Sequence, residues 1–303
     1  MHLVVLLILT TSLVQGWVSP LPAGETASRW YRARPRVVPR PFTTTTTTTS
    51  TQLYASNTTA IYATNTLPRD SSKIDLSTSP PPMWGQPLSN ATKEWNEQTV
   101  HTLKSILFDQ LYRGDALERN YARFYALETI ARMPYFSYLS VLHLFETLGL
   151  WRRANYLKVH FAESWNELHH LLICEELGGN DRWIDRFVAQ HIAFGYYWLI
   201  VGLYIFNPIH AYHLNQMVEE EAYETYDKFI TQHREYLAQQ PAPVQAVEYY
   251  TGPDIYMFDA MHHDTTAEPR RPPCETLLDC FTNIRDDELE HAKTMAHYQK
   301  GSD

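Results

Sequence analysis

Glutamate and histidine stand three residues apart on two long, proline-poor stretches, as Glu167-Leu168-His169-His170 and Glu288-Leu289-Glu290-His291. On a helix, side chains three residues apart share nearly the same face, so a carboxylate and an imidazole can hold one ion together. A single such pair is weak evidence, because both residue types are common on helices. Two pairs on separate helices constrain the chain far more. Bundles that hold a pair of metal ions take one Glu from each of two helices and a Glu-x-x-His from each of the other two. The sequence should then supply two lone glutamates on otherwise apolar helical faces. Glu128 lies in YARFYALETIARM among Phe124, Leu127 and Ile130, and Glu219 opens the run Glu219-Glu220-Glu221. The chain order is lone Glu, pair, lone Glu, pair.

The surrounding sequence predicts an all-α fold, a ferritin-like di-iron four-helix bundle with additional membrane-interface helices. Glycine and proline are sparse between 95 and 240. A weakly amphipathic stretch covers 95–112 and breaks at Gly114-Asp115. A long helix is predicted over 118–147 with a kink at Pro134. Another is predicted over 153–177, stopped by Gly178-Gly179-Asn180. The next starts near Asp181, is apolar all round at 192–206, and is interrupted by Pro208. Its continuation runs to about 237. The segment 238–273 reads as a long loop, and the last helix covers 274–298. The apolar run is short for a membrane span. A buried core helix is one option; we favour the other, a helix lying in the membrane interface, for which Tyr196, Tyr197, Trp198 and Tyr204 are suitable anchors.

Four carboxylates and two imidazoles are donors suited to Fe(II) or Mn(II), and two ferrous ions would leave the buried cluster nearly neutral. Cys174, Cys274 and Cys280 match no zinc or disulfide pattern and read as buried small hydrophobes. Net charge is −9, and no basic block follows residue 80, which argues against a nucleic-acid partner. Residues 1–16 resemble a signal peptide, with an apolar run over 3–15 closed by Gly16. Residues 17–80 are rich in Arg and Thr and poor in acids, as in a transit peptide or a disordered linker. Residues 81–303 form the expected folded domain. Signal plus transit peptide is a two-step address, similar to the import signal of a secondary plastid.

The residues themselves then carry a resemblance. Leu127-Glu128-Thr129, Asn166-Glu167, Glu219-Glu220-Glu221-Ala222 and Asn283-Ile284-Arg285-Asp286-Asp287-Glu288-x-x-His291 resemble the alternative oxidase family over roughly 95–298. FAESWNELHHLLICEELGGNDRW, AYETYDKF and NIRDDELEH are similar to its plastid branch. The resemblance implies a non-haem di-iron quinol oxidase that passes electrons from plastoquinol to O₂. It also implies monotopic attachment as a homodimer on the stromal face of the thylakoid membrane. By motif position it implies two Fe held by Glu128, Glu167, His170, Glu219, Glu288 and His291, with Tyr226 beside them. Arg123, Leu127 and Thr225 match quinol-pocket positions, and Arg123 would hold the quinol oxygen. Asn166 and Asp287 match groups that orient the histidines.

Three departures bear on this reading. Three adjacent acids compete for one ligand role at 219–221, and Glu219 is chosen on motif register. His169 neighbours His170 but lies about 100° away round the helix, where a structural hydrogen bond is expected. No cysteine precedes Cys174, so a regulatory cysteine ahead of the bundle is not expected. The segment 250–273 resembles an insertion of the plastid members. Rival readings are a mitochondrial-type ubiquinol oxidase, another di-iron enzyme such as a quinone hydroxylase or desaturase, and an iron store or membrane scaffold.

Overall fold

A computed structural model describes residues 87–114, 116–260 and 269–300. The segments 1–16 and 17–80, expected to be a signal peptide and a transit peptide or disordered linker, lie outside them. The first helix, α1 (Asn90–Lys104), begins a turn earlier than predicted because the Ser89 hydroxyl accepts from the Thr92 N–H. It widens into a π-helical turn, Ser105–Leu111, and Gly114 at φ 106° lets the chain reverse. The predicted long helix is two, α2 (Leu117–Ala131) and α3 (Met133–Thr147). Pro134 lacks the N–H that would continue the ladder, so the helix breaks at Arg132 while its dihedrals stay helical (φ −66°, ψ −19°).

Helix α4 (Ala154–Glu176) ends where Gly178 takes φ 83° and the Gly179 N–H closes on the Cys174 carbonyl at 2.9 Å. A Cβ on Gly179 would sit 2.5 Å from the Tyr121 carbonyl, so glycine is what lets this turn press on α2. Helix α5 spans Trp183–Phe206, and α6 spans Pro208–Gln239, capped by the Asn207 side chain on the His210 N–H. Helix α8 (Leu277–Tyr298) opens on a capping box between Thr276 and Asp279. An antiparallel bridge between Pro241 and Thr276 ties the end of α6 to the start of α8, and these two helices pack along their length.

The segment expected to be a loop carries two short elements, α7 (Val244–Thr251) and a 3-10 helix, Pro253–Ala260. Prolines 241 and 243 hide them in the sequence. The N-terminus of α7 is capped from another helix: Glu176 accepts the Val244 and Gln245 N–H groups at 2.9 and 2.8 Å.

Helix α6 packs on α8 and α2 on α4, all four contribute a Glu or His to one interior cluster, and α5 packs against α2 and α3. The run 192–206 is not apolar to no purpose all round. Ala189, Ala193, Tyr196, Ile200 and Tyr204 form one buried stripe at helical spacing, while Phe194, Trp198, Ile205 and Phe206 are exposed. Tyr196 and Tyr204 therefore belong to the core and cannot anchor in an interface, which leaves Trp198 and half-buried Tyr197 for that task. By length and composition α5 could cross a membrane, with mean hydropathy 1.3, and only 28% of its apolar window is buried. On α3 and just after it, Phe136, Leu144, Leu148 and Leu150 are exposed as well.

Candidate metal centre

All six predicted ligand residues meet in the bundle interior, and each is 0% exposed. Glu128 comes from α2, Glu167 and His170 from α4, Glu219 from α6, and Glu288 and His291 from α8. They form two overlapping groups, Glu128/Glu167/His170/Glu288 and Glu167/Glu219/Glu288/His291, within each of which the candidate donor atoms lie within 4.8 Å of one another. His170 Nδ1 is 3.0 Å from Glu288 Oε1, and His291 Nδ1 is 2.9 Å from Glu167 Oε1. Of the three adjacent acids, only Glu219 enters. Glu220 is exposed and bonded to Gln216, and Glu221 is ion-paired with Lys104.

The carboxylates differ in which of their oxygens the protein occupies. Glu128 Oε1 accepts from the Tyr226 hydroxyl, and Glu219 Oε1 from the Tyr135 hydroxyl at 2.7 Å; the Oε2 of each has no hydrogen bond. Glu167 and Glu288, the members common to both groups, have no hydrogen bond on either oxygen, and neither does Nδ1 of His170 or His291. Buried polar atoms without partners are costly and rare. Here they converge on one space, with no thiolate among them, as a binding place for two divalent cations of the Fe(II) or Mn(II) kind requires.

The charges tell the same story. Burial, then Glu167 and Glu288, push Glu128 and Glu219 well above the usual carboxylate range. Burial opposes charge on Glu288 too, but the imidazoles of His170 and His291 close beside it hold it below that range. Burial likewise opposes charge on His170 and His291, yet the surrounding carboxylates raise both well above the ordinary histidine value. Protons must stand in for cations if these acids are to share one dry space.

Around the centre, Asp287 collects donors on one oxygen. Its Oδ2 accepts from Tyr250 at 2.7 Å and Asn166 at 3.0 Å, and meets His170 Nε2 at 3.1 Å, while Oδ1 is ion-paired with Arg270 at 2.8 Å. Burial works against a charge on Asp287, but Arg270 first and His170 next bring its pKa below the usual value. With Nε2 turned to Asp287, His170 presents Nδ1 inward. Asn166 reaches no histidine directly; it acts through Asp287 and also bonds Tyr249 at 2.8 Å. His169 points away from the centre and stacks on Tyr249 with ring centroids 4.3 Å apart. The expected hydrogen bond is absent: neither ring nitrogen makes one, and Asp254 is 3.6 Å off. Burial lowers the His169 pKa to about 4, so the stacked ring is neutral.

Arg123 and Thr225 line a cavity of about 430 Å³, whereas Leu127 lines a smaller, mainly apolar one beside it; both touch Lys104, Phe108 and Glu221. The Arg123 guanidinium donates to Asn120 Oδ1 and the Tyr112 carbonyl, each at 2.8 Å, so the wall itself holds it in place. Tyr226 lies behind, stacked on Phe124 at 4.4 Å. The sequence reading missed Tyr135, Tyr249, Tyr250 and Arg270. Tyr135 left a signal, since it follows Glu128 by seven residues, two helical turns. Arg270 left none.

Comparison with known proteins agrees with this geometry. The family model described as alternative oxidase matches residues 87–300. A relative from Arabidopsis thaliana, ubiquinol oxidase 4, chloroplastic/chromoplastic, is 61% identical over 189 residues, covering 62% of this chain and 53% of its own length. Mitochondrial ubiquinol oxidases are more distant. One from Mangifera indica is 26% identical over 54% of this chain and 46% of its own, and ubiquinol oxidase 1a of Oryza sativa subsp. japonica is 27% identical over 65% and 51%. The chain thus spans about half the length of the curated relatives it matches. With the family model covering well over half of its residues, the chain belongs to the alternative oxidase family.

Proposed function

We propose that this chain oxidises plastoquinol and reduces O₂ to water at a pair of irons, two quinols being consumed for each O₂. The observation that carries the reading is the pair of overlapping donor groups with Glu167 and Glu288 in common. Glu128 and His170 would serve one iron, Glu219 and His291 the other, and the common carboxylates both. Bound there, the irons supply O₂ binding and reversible storage of the quinol electrons.

The chain's own groups do the rest. Asp287 keeps His170 turned inward. Tyr226, which donates a hydrogen bond to Glu128 Oε1, would give an electron to the site and its phenolic proton to that oxygen. Burial and Glu128 hold that phenol well above its ordinary pKa, so it rests protonated. Arg123 and Thr225 belong to the wall where a quinol head would dock, with Arg123 directing charge-assisted hydrogen bonds. Leu127 faces the adjoining apolar space.

A plastid location is supported by the chloroplastic name of the 61% identical relative. That name gives ubiquinol as its substrate, while plastoquinol and the thylakoid rest on the resemblance to the plastid branch. Monotopic membrane attachment is supported by the exposed apolar side chains of α3 and α5, and the stromal side rests on the resemblance. The homodimer and the two-step route into a secondary plastid rest on the resemblance and on residues 1–80. An oxygen electrode tests the proposal: membranes carrying the protein should take up O₂ with a plastoquinol analogue. Uptake with a ubiquinol analogue alone would move the chain to the mitochondrial type, and uptake with neither would reject a quinol oxidase.

A further inference from the structure

One spacing recurs after the two lone glutamates, across the α2–α3 junction in the first case and within α6 in the second. Tyr135 follows Glu128 by seven residues, and Tyr226 follows Glu219 by seven. Two turns return a side chain to about the same face, and the helical dihedrals at Arg132 preserve that relation past the break. The bonding is crossed. Tyr226 donates to Glu128 on the other helix, and Tyr135 donates to Glu219. The Glu-x-x-His pairs cross in the same way, His170 lying beside Glu288 and His291 beside Glu167. The centre therefore has an approximate twofold relation, in which Tyr135 stands where Tyr226 stands in the other half.

We propose that Tyr135 is a positioning residue for the metal pair: it occupies Oε1 of Glu219, so that Glu219 offers one oxygen, Oε2, to the ion on the His291 side. This rests on the reading above that two metal ions bind here. The physical basis is the dryness of the site. Tyr135 is 0% exposed, and its hydroxyl donates to Glu219 Oε1 at 2.7 Å. Glu219 Oε2 has no hydrogen bond, and among the described residues Tyr135 is the donor that holds its other oxygen. The phenol ring is itself fixed, edge-on to Tyr138 at 6.2 Å and to His291 at 5.4 Å between centroids. Without that hydroxyl a buried carboxylate could turn and bind through either oxygen.

Tyr138 provides a control. It lies on the same helix, is equally buried, and donates instead to the Ala211 carbonyl at 3.0 Å, away from the donor groups. The test is anaerobic titration of the purified full chain with Fe(II), followed by Mössbauer spectroscopy. Tyr135→Phe should weaken one of the two binding events by roughly 10–100-fold, the range for lost partners of metal ligands. It should shift one iron signal only, and Tyr226→Phe should shift the other. Tyr138→Phe should leave both unchanged. Site-specific 3-fluorotyrosine at position 135, which keeps shape and hydroxyl, should retain both binding events and move only the signal that Tyr135→Phe moves; it carries the test if the Phe variant does not fold. Binding and spectra of Tyr135→Phe identical to wild type, or both signals moving equally, overturn the assignment. Wild-type protein that takes up no pair of ions overturns the functional reading and this one with it.

Discussion

Whether a carboxylate at the centre has one open oxygen or two decides what its loss should do. Glu167 and Glu288 have both oxygens open and belong to both donor groups. Glu167→Ala and Glu288→Ala are each expected to abolish quinol-dependent O₂ uptake and to lower iron content; activity in either variant would exclude it as a ligand. His169→Ala loses a stack on Tyr249 worth about 1 kcal/mol and should keep its iron and turnover. A dead His169 variant beside a live His170 variant would exchange their roles. Tyr226→Phe removes only a hydroxyl, so iron content should survive while turnover falls more than about tenfold, some 1.4 kcal/mol of barrier. Undiminished turnover would remove Tyr226 from electron supply. The clustering of Glu167 with His170 and of Glu288 with His291 was legible because a three-residue spacing fixes a shared face within one helix. The crossed bonds of Tyr135 and Tyr226 were not, because they depend on the register between helices, which no spacing within one helix contains.

Among elements, the legible boundaries were those set by backbone chemistry. Pro134 ended one helix and began another where a kink within one helix was predicted, and Gly178 supplied the left-handed turn at the predicted stop of α4. The start of α8 shifted from 274 to Leu277 because the Thr276 cap sets it, and Thr276→Ala should cost about 1 kcal/mol in urea unfolding. Helix α7 escaped prediction because its cap, Glu176, comes from a distant part of the chain. The outward face of α5 was similarly ambiguous: a continuous apolar run cannot say that Tyr196 and Tyr204 turn inward while Phe194 and Trp198 turn out. The segment after α7 also delivers Arg270 to Asp287. Arg270→Ala leaves a buried carboxylate without its cation and should destabilise the fold by about 3 kcal/mol, read from chemical denaturation. Unchanged stability would mean that Asn166 and Tyr250 suffice to hold Asp287.

For the molecule as a whole, exposed apolar side chains on α3 and α5 and a net charge of −9 predict attachment by apolar burial rather than by charge. Salt should not release the protein from membranes and detergent should, because ions do not screen apolar burial. Release by salt alone would point to electrostatic docking. Residues 1–80 fused to a fluorescent protein should reach plastids, and a mitochondrial destination would reverse the location while leaving the metal chemistry standing. The central claim is that the six buried ligand residues hold two irons that turn over with quinol. Its most direct measurement is the iron content and Mössbauer spectrum of anaerobically loaded protein, taken before and after quinol and O₂ are added. The account predicts about two irons per chain, both oxidised by O₂ and both reduced again by quinol. One zinc per chain, no bound iron, or iron that quinol does not reduce would contradict it.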